Sequence, residues 1–249
     1  MDCLTCRQLT KRFGGLVALD SIELEVASPN LVAVIGPNGA GKTTLIDIVT
    51  GLQKPDLGQC LWQGTDLTKV PSYRIARLGV SRSFQQLRLV WNVSVFENVL
   101  SSFPLYWGEA LASSIRLWGM SSTENERRSQ AAYLLSLVGL ADCQSRLAAE
   151  LSYGDQKLLS VACLIATGAS LLLLDEPFAG VYGPSRVVMM KILRELRSRG
   201  KLVMFVEHDL SVVREVSEYV IALSAGSIIS QGSTAVALSS AEVSEAYFG

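Results

Sequence analysis

Short apolar runs alternate with amphipathic segments along most of the chain. The runs LVAVIG (31–36), LLLL (171–174) and LVMFV (202–206) are apolar throughout and have the length of strands. Strands that are apolar on both sides are typical of a parallel sheet covered by helices on both faces. Helix signals stand between them, such as Pro184 near the start and Gly200 past the end of one segment. The pattern predicts an α/β fold with a parallel sheet.

The segment over about 86–155 has a helical texture instead. Thr123 to Glu126 fits the T-x-x-E capping box, and Gly139 ends the run that follows it. Apolar residues at helical spacing in this run are Ala131, Leu134, Leu135 and Val138. We therefore expect an all-helical insertion within one domain that covers 1–249, with a core formed by 1–85 and 156–249.

Composition and charge argue against several classes of protein. A formal net charge of -1 over 249 residues is not that of a nucleic-acid-binding surface. Arginines are densest at positions 74, 77, 82 and 88, and we interpret this cluster as ordinary solvated surface. No nucleic-acid partner is expected.

Hydrophobic residues make up 49% of the chain, which raises the question of a membrane span. The longest apolar stretch, 158–174, is interrupted by TGAS and is too short to span, since spanning needs about 20 continuous apolar residues. The N-terminal residues include an acid and lack the apolar core of a secretory signal. Five cysteines fit reduced thiols better than a disulfide framework. A cytoplasmic protein with an apolar contact surface is expected.

A glycine-rich loop follows the first apolar run. GPNGAGKTT, at 36–44, matches the phosphate-loop pattern G-x-x-x-x-G-K-[ST] and lies between a predicted strand and a predicted helix. Such a loop points consecutive N–H groups at phosphate, and the helix adds its positive end. Lys42 is expected to contact the β- and γ-phosphates, and the Thr43 hydroxyl to bind Mg²⁺. The residues expected to bind nucleotide here are Gly36, Pro37, Asn38, Gly39, Ala40, Gly41, Lys42, Thr43 and Thr44.

Two adjacent acids end the apolar run LLLLDE. Asp175 is placed to orient the shell of a metal ion, and Glu176 points the other way and is placed to act as general base on the attacking water. The only histidine, His208, follows the run LVMFV. From its position alone, it is either a hydrogen-bonded structural residue or a member of a site.

Several motifs, in this order, resemble those of the ATP-binding subunits of ABC transporters. SRSFQQ (81–86) contains Gln85, which matches the Q-loop glutamine. LSYGDQK (151–157) resembles the signature sequence and lies upstream of the acidic pair. VEHD (206–209) resembles the segment that carries the switch histidine. The resemblance extends over essentially the whole chain.

The resemblance implies a fold and catalytic roles. The expected fold is a P-loop (RecA-like) parallel sheet core with an N-terminal antiparallel β subdomain and an all-helical subdomain insertion. His208 is expected to reach the γ-phosphate of ATP and to hold Glu176 and water in line, and Gln85 to touch Mg²⁺ and the water. The expected catalytic residues are Glu176, His208, Lys42 and Gln85, and the expected metal ligands are Thr43, Gln85 and Asp175.

The resemblance also implies contacts beyond the phosphate loop. Phe13, in TKRFGG, matches the position whose ring stacks on adenine; the alternative is a core phenylalanine of the N-terminal sheet. In such proteins two subunits pair head to tail around ATP. Ser152 and the backbone of Gly154 are then expected to bind the γ-phosphate of the partner's ATP through a helix N-terminus.

Within the superfamily, the stretches FGGLVAL, GVSRSFQQLRLV, VSVFENV and AYFG resemble importers of branched-chain amino acids and related amides. This resemblance implies a separate membrane permease, a second ATPase subunit that is a copy or a paralogue, and an indirect partner in a solute-binding protein. It also implies a peripheral position on the inner face of the cell membrane. The alternatives are a soluble ABC ATPase acting on ribosomes or DNA and an ABC-like module that senses ATP with little turnover.

Two residues depart from the family pattern. Asp155 stands at the fifth signature position in place of glutamine, where it fits an S-x-x-D cap with Ser152. Its charge offsets the positive helix end that attracts phosphate. Tyr182 stands where many ABC subunits have a D-loop aspartate, which puts symmetric coupling of the two sites in doubt.

Overall fold

The computed structural model describes residues 2–83, 87–104 and 122–248. Contacts between Cα atoms divide the chain into two compact units. The core unit comprises Met1–Gln85, Ala169–Ala179 and Leu193–Gly249, and the helical unit comprises Gln86–Gly168 and Gly180–Ile192. The domain division expected from the sequence stays a prediction.

The strands of the core unit form two sheets. A four-stranded antiparallel sheet has the order β2-β1-β4-β5, and a six-stranded sheet has the order β10-β9-β3-β8-β7-β6. All pairings in the larger sheet are parallel except that of β9 with β10. The strands are β1 (Cys3–Phe13), β2 (Leu16–Ala27), β3 (Asn30–Ile35), β4 (Leu57–Trp62), β5 (Thr65–Asp66), β6 (Val80–Arg82), β7 (Leu171–Asp175), β8 (Leu202–Val206), β9 (Tyr219–Ser224) and β10 (Ser227–Ser233).

The burial of the strands follows from their sequence patterns. Every residue of β7 and β8 is buried, as expected of strands that are apolar on both sides. The second half of β2 instead alternates, with Ile22, Leu24 and Val26 buried and their neighbours exposed. The two sheets share one apolar core, in which Trp62 is fully buried and donates its indole N–H to the carbonyl of Leu78 at 3.2 Å.

Nine α-helices lie in the described part of the chain. They are α1 (Lys42–Val49), α2 (Ser72–Arg77), α3 (Val95–Ser101), α4 (Ser122–Leu137), α5 (Tyr153–Ala166), α6 (Gly183–Ser198), α7 (Leu210–Val216), α8 (Thr234–Leu238) and α9 (Ala241–Phe248). Helix α6 begins and ends close to the positions predicted from Pro184 and Gly200. Gly51 follows α1 with φ 70°, and the Leu52 N–H donates to the Asp47 carbonyl at 2.8 Å, which closes the helix.

One predicted helix start is wrong. Helix α4 already includes Ser122, so Thr123 lies inside its first turn and is not the N-cap. The capping box observed in the helical unit stands at α3, where the Ser94 hydroxyl accepts the Glu97 N–H at 3.1 Å and Glu97 accepts the Ser94 N–H at 2.9 Å. The apolar face predicted for α4 and the residue that follows it is buried at all four positions. No helix in the described residues has both the length and the apolar composition needed to cross a membrane.

Candidate functional site

The phosphate loop connects β3 to α1 in the core unit. At two of its glycines, backbone atoms of other strands lie so close that no side chain would fit. Gly36 has φ 146°, and a Cβ there would collide with the carbonyl oxygen of Leu223. Gly41 has φ 101°, and a Cβ there would collide with the carbonyl oxygen of Ala18. Any other residue at either position would displace the loop from the cradle between β2 and β9.

The rest of the loop is open toward solvent. Asn38, Gly39 and Thr43 are exposed, Pro37 and Thr44 are half-buried, and Ala40 is buried. Helix α1 has no acidic residue in its first turn and no side-chain cap. Its first N–H groups therefore remain available for an anionic ligand.

Lys42 points back over the loop from the first position of α1. Its side chain is only 7% exposed, and its Nζ donates to the carbonyls of Gly36 at 2.6 Å and Pro37 at 2.9 Å. Burial lowers the pKa of this ammonium, while the nearby Glu176 and Asp175 carboxylates oppose that lowering. The lysine cation therefore lies within electrostatic range of the two acids that the sequence analysis singled out.

Asp175 ends β7 in a buried ionic network. Arg82 donates to the Asp175 carboxylate at 3.0 Å through one nitrogen and to the Asp47 carboxylate through another. The Ser83 hydroxyl accepts the Asp175 N–H at 3.1 Å. The prediction that Arg82 is solvated surface is therefore wrong: its side chain is 8% exposed, because two carboxylates draw it into the site.

Glu176 and His208 lie at the ends of neighbouring strands. Asp175 pairs with Val206 in the register of β7 and β8, and the chain leaves the sheet after each. His208 Nε2 lies 3.0 Å from Glu176 Oε1. Glu176 adopts φ 47°, a left-handed conformation that is costly for a residue with a side chain. The structure thus brings together the acid and the histidine that the sequence predicts as a catalytic pair.

A second acid, Glu207, lies beneath this pair and was missed in the sequence analysis. It is 4% exposed, and its two carboxylate oxygens accept the N–H groups of Phe178 at 2.9 Å and His208 at 3.2 Å. Burial raises the pKa of this carboxyl, and the two N–H donors oppose the rise. Its only sequence signal is an acid at the end of an apolar strand.

Tyr247 in helix α9 contacts the phosphate loop from 211 residues away. Its hydroxyl accepts the N–H of Gly36 at 2.7 Å, while the carbonyl of Gly36 accepts from Lys42. Burial raises the pKa of the Tyr247 phenol. No local pattern in the sequence predicts this contact.

Phe13 lies at the end of β1, with 46% of its surface exposed and the Lys11 Nζ 5.3 Å from its ring centre. The alternative of a core phenylalanine is therefore wrong. The ring is accessible to a planar ligand, and its stacking on adenine stays a prediction.

The signature residues lie at the start of α5 in the helical unit. Ser152 is the N-cap, and its hydroxyl accepts the Asp155 N–H at 3.2 Å and donates to Asp155 Oδ2 at 2.8 Å. The Ser185 hydroxyl donates to Asp155 Oδ1 at 3.4 Å. A Cβ on Gly154 would lie 3.1 Å from that hydroxyl oxygen. Asp155 takes part in the cap with Ser152 as predicted, and its carboxylate accepts the hydrogen bond that the Ser152 hydroxyl donates.

Two of the three residues expected to bind Mg²⁺ lie in the described part of the chain, and they supply a hydroxyl and a carboxylate. Thr43 is exposed at the start of α1, and Asp175 ends β7. Gln85 lies outside the described residues. No cluster of three or more histidine, cysteine or acidic side chains able to hold a metal occurs in 2–83, 87–104 and 122–248. This sparse oxygen set fits a Mg²⁺ ion whose remaining ligands are phosphate oxygens and water.

Known proteins resemble this chain over its full length. The LivG protein of Escherichia coli, a high-affinity branched-chain amino acid transport ATP-binding protein, is 34% identical over 253 residues, which cover 99% of this chain and 97% of LivG. BraF of Pseudomonas aeruginosa, which has the same description, is 33% identical over 243 residues, covering 97% and 95%. A LivG protein described as probable, from Archaeoglobus fulgidus, is 34% identical over 250 residues, covering 100% and 96%.

Solved structures of ABC transporter cassettes also resemble this chain. A nucleotide-free ATP-binding cassette from an ABC transporter superposes with a TM-score of 0.85 at 27% identity and covers 100% of both chains. The structure of an ABC transporter ATP-binding cassette in its ADP conformation superposes with a TM-score of 0.85 at 28% identity and covers 100% of this chain and 99% of that cassette. The expected fold class is confirmed. The sequence profile described as ABC transporter matches residues 19–179. The chain belongs to the ABC transporter family, as an ATPase cassette of this fold.

Proposed function

We propose that this chain hydrolyses ATP to power the uptake of branched-chain amino acids through a separate membrane permease. The observation that carries the hydrolytic part is the contact between Glu176 and His208 at 3.0 Å, close to Lys42 and Asp175. The solute follows from the relatives, whose descriptions name branched-chain amino acid transport. Their full-length similarity favours an importer subunit over a soluble ABC ATPase or an ATP-sensing module.

ATP binding rests on the phosphate loop and on Phe13. The backbone N–H groups at the open part of the loop and at the start of α1, together with the Lys42 ammonium, hold the phosphates, and Phe13 stacks on adenine. Thr43, Asp175 and Gln85 are the residues that would hold Mg²⁺. When bound, the ion neutralises charge on the phosphates.

Hydrolysis rests on the pair at the strand ends. Glu176 accepts a proton from the attacking water, and His208 keeps the carboxylate in the orientation needed for this step. The Glu176 carboxylate contacts His208, whereas the Asp175 carboxylate accepts from Arg82, so the two neighbouring acids serve different tasks.

The active form is a head-to-tail dimer with a copy or a paralogue. Ser152 and the Gly154 N–H of each subunit bind the γ-phosphate of ATP held by the other. In this chain the Ser152 hydroxyl donates to Asp155, and the carboxylate adds negative charge beside the phosphate position. A partner ATPase with a neutral signature would bind ATP more tightly than a second copy.

The permease and a solute-binding protein complete the transporter, and the chain sits on the inner face of the membrane through the permease. The test measures the uptake of radiolabelled leucine, isoleucine and valine by a strain of the source organism from which the gene for this chain has been deleted. Restoration by the wild type but not by Glu176→Gln is expected. Unchanged uptake of all three amino acids in the deletion strain would show that the proposed solute is wrong. Co-purification of a polytopic membrane protein tests the permease contact separately.

A further inference from the structure

Glu207 is a buried carboxylate to which the steps proposed above for ATP binding and proton transfer assign no role. It follows β8 directly and is 4% exposed. Both its oxygens accept backbone N–H groups, from Phe178 at 2.9 Å and from His208 at 3.2 Å. Its own N–H donates to the carbonyl of Val34 at 3.3 Å, in the strand that leads to the phosphate loop. One side chain therefore ties together the loop after β7 and the loop after β8.

The loop after β7 needs such a tie because its backbone is strained. Glu176 adopts φ 47°, a left-handed conformation that is unfavourable for a residue with a Cβ. A conformation of this kind persists only where surrounding contacts hold it. The contacts here are the Glu176 N–H to the Val206 carbonyl at 3.1 Å, the Ala179 N–H to the Glu176 carbonyl at 3.2 Å, and the Phe178 N–H to Glu207.

The other oxygen of Glu207 acts on the histidine side of the pair. By accepting the His208 N–H, it fixes the backbone from which the imidazole reaches Glu176. The two loops are thus held at the spacing that gives the 3.0 Å contact between His208 and Glu176.

We propose that Glu207 is a positioning residue for ATP hydrolysis, which holds Glu176 in its left-handed conformation and His208 within hydrogen-bond distance of it. The inference rests on the proposed function, since it assigns a role within the hydrolytic site. A carboxylate suits this role because both of its oxygens accept, whereas an amide offers one acceptor and would turn an N–H toward the second donor.

The test compares Glu207→Gln and Glu207→Ala with the wild type. Glutamine retains one acceptor and alanine retains none, so kcat for ATP should fall about fivefold in the first and about 30-fold in the second, following the free energy of one and of two lost buried hydrogen bonds. KM for ATP should stay within about twofold, because the phosphate loop is untouched. Glu218→Gln is the matched control: Glu218 is an exposed acid in an ion pair with Arg197, and its loss should leave kcat unchanged.

A second readout separates positioning from general destabilisation. His208 is the only histidine of the chain, so one imidazole signal in an NMR spectrum reports on its environment. That signal should move in Glu207→Gln toward its position in Glu176→Ala, because both variants weaken or remove the contact between His208 and residue 176. Wild-type kcat in both Glu207 variants would overturn the proposal, and so would a loss of activity with an unmoved imidazole signal. If the wild type itself does not hydrolyse ATP, the proposed function fails and this inference fails with it. Glu207→Gln alone decides the matter if Glu207→Ala does not fold.

Discussion

His208 Nε2 lies 3.0 Å from Glu176 Oε1, and the two residues follow the ends of neighbouring parallel strands. The carboxyl ends of parallel strands lie at one edge of the sheet, which is the edge where β3 leads into the phosphate loop. Substitutions at this pair should therefore change ATP hydrolysis without changing ATP binding.

His208→Ala should lower kcat for ATP about 100-fold, because it removes the group that orients the Glu176 carboxylate. Affinity for ATP should stay within about twofold, since the imidazole is not part of the phosphate loop. Lys42→Ala is the contrasting variant, and it should weaken ATP binding itself because it removes the buried cation over the loop. Phosphate release and nucleotide titration measure the two quantities. An equal loss of ATP affinity in His208→Ala and Lys42→Ala would contradict the assignment of separate roles in hydrolysis and in binding.

Arg82→Ala should lower the free energy of unfolding by about 3 kcal/mol, because it leaves the Asp47 and Asp175 carboxylates without their shared cation. Arg77→Ala is the matched control, since Arg77 is an exposed arginine at the end of α2, and its loss should change stability by no more than about 0.5 kcal/mol. Urea unfolding of both variants makes the comparison. Equal stability of the two would mean that the network around Arg82 contributes nothing.

Tyr247→Phe should raise KM for ATP about fivefold, because the phenol is the acceptor for the Gly36 N–H at the first position of the phosphate loop. The maximal rate at saturating ATP should change less than KM, since Glu176 and His208 are not touched. Tyr73→Phe, at an exposed tyrosine of α2, serves as the control. An unchanged KM would show that α9 has no influence on the loop.

Asp155→Gln should tighten the ATP-bound dimer about tenfold, because it frees the Ser152 hydroxyl and removes a negative charge from the start of α5. The measurement is sedimentation velocity in the presence of ATP, with Glu176→Gln as the background so that the closed state accumulates. An unchanged dimer dissociation constant in Asp155→Gln would contradict the inhibitory role of Asp155. A background protein that binds ATP but stays monomeric would point to a paralogous partner.

The buried thiol of Cys6 and the half-buried thiol of Cys163 should resist labelling in the folded protein. Hydrogen bonding to Cys60 and burial raise the pKa of Cys6, and burial raises the pKa of Cys163 to about 11. A thiol reagent at pH 8 should therefore spare both in the native state and label both in denaturant. Because the native state keeps protons that the unfolded chain releases, stability should fall as pH rises from the ordinary thiol pKa of 9.0 toward 11. Labelling of Cys163 at the rate of an exposed thiol would contradict the raised pKa of that group.

The sequence predicts the elements whose signals are local. The parallel strands, the phosphate loop and the apolar face of α4 all depend on short patterns of residues, and the structure has them where expected. The error at Thr123 has the same origin, because a capping pattern can occur inside a helix as well as at its start.

The missed residues are defined by contacts between distant parts of the chain. Arg82 looks like one of several surface arginines until Asp47 and Asp175 surround it. Glu207 and Tyr247 contact the site through backbone N–H groups, which leave no trace in residue type. Such contacts follow from the pairing of strands and the packing of helices, and no spacing rule in the sequence encodes them.

The most direct test of this account is the rate of phosphate release from ATP by the wild type and by Glu176→Gln, measured with the ATP affinity of each. The account predicts that the wild type turns ATP over, and that the variant binds ATP with unchanged affinity and releases phosphate at least about 100-fold more slowly. A variant that hydrolyses ATP at the wild-type rate would contradict the assignment of Glu176 and His208 as the hydrolytic pair.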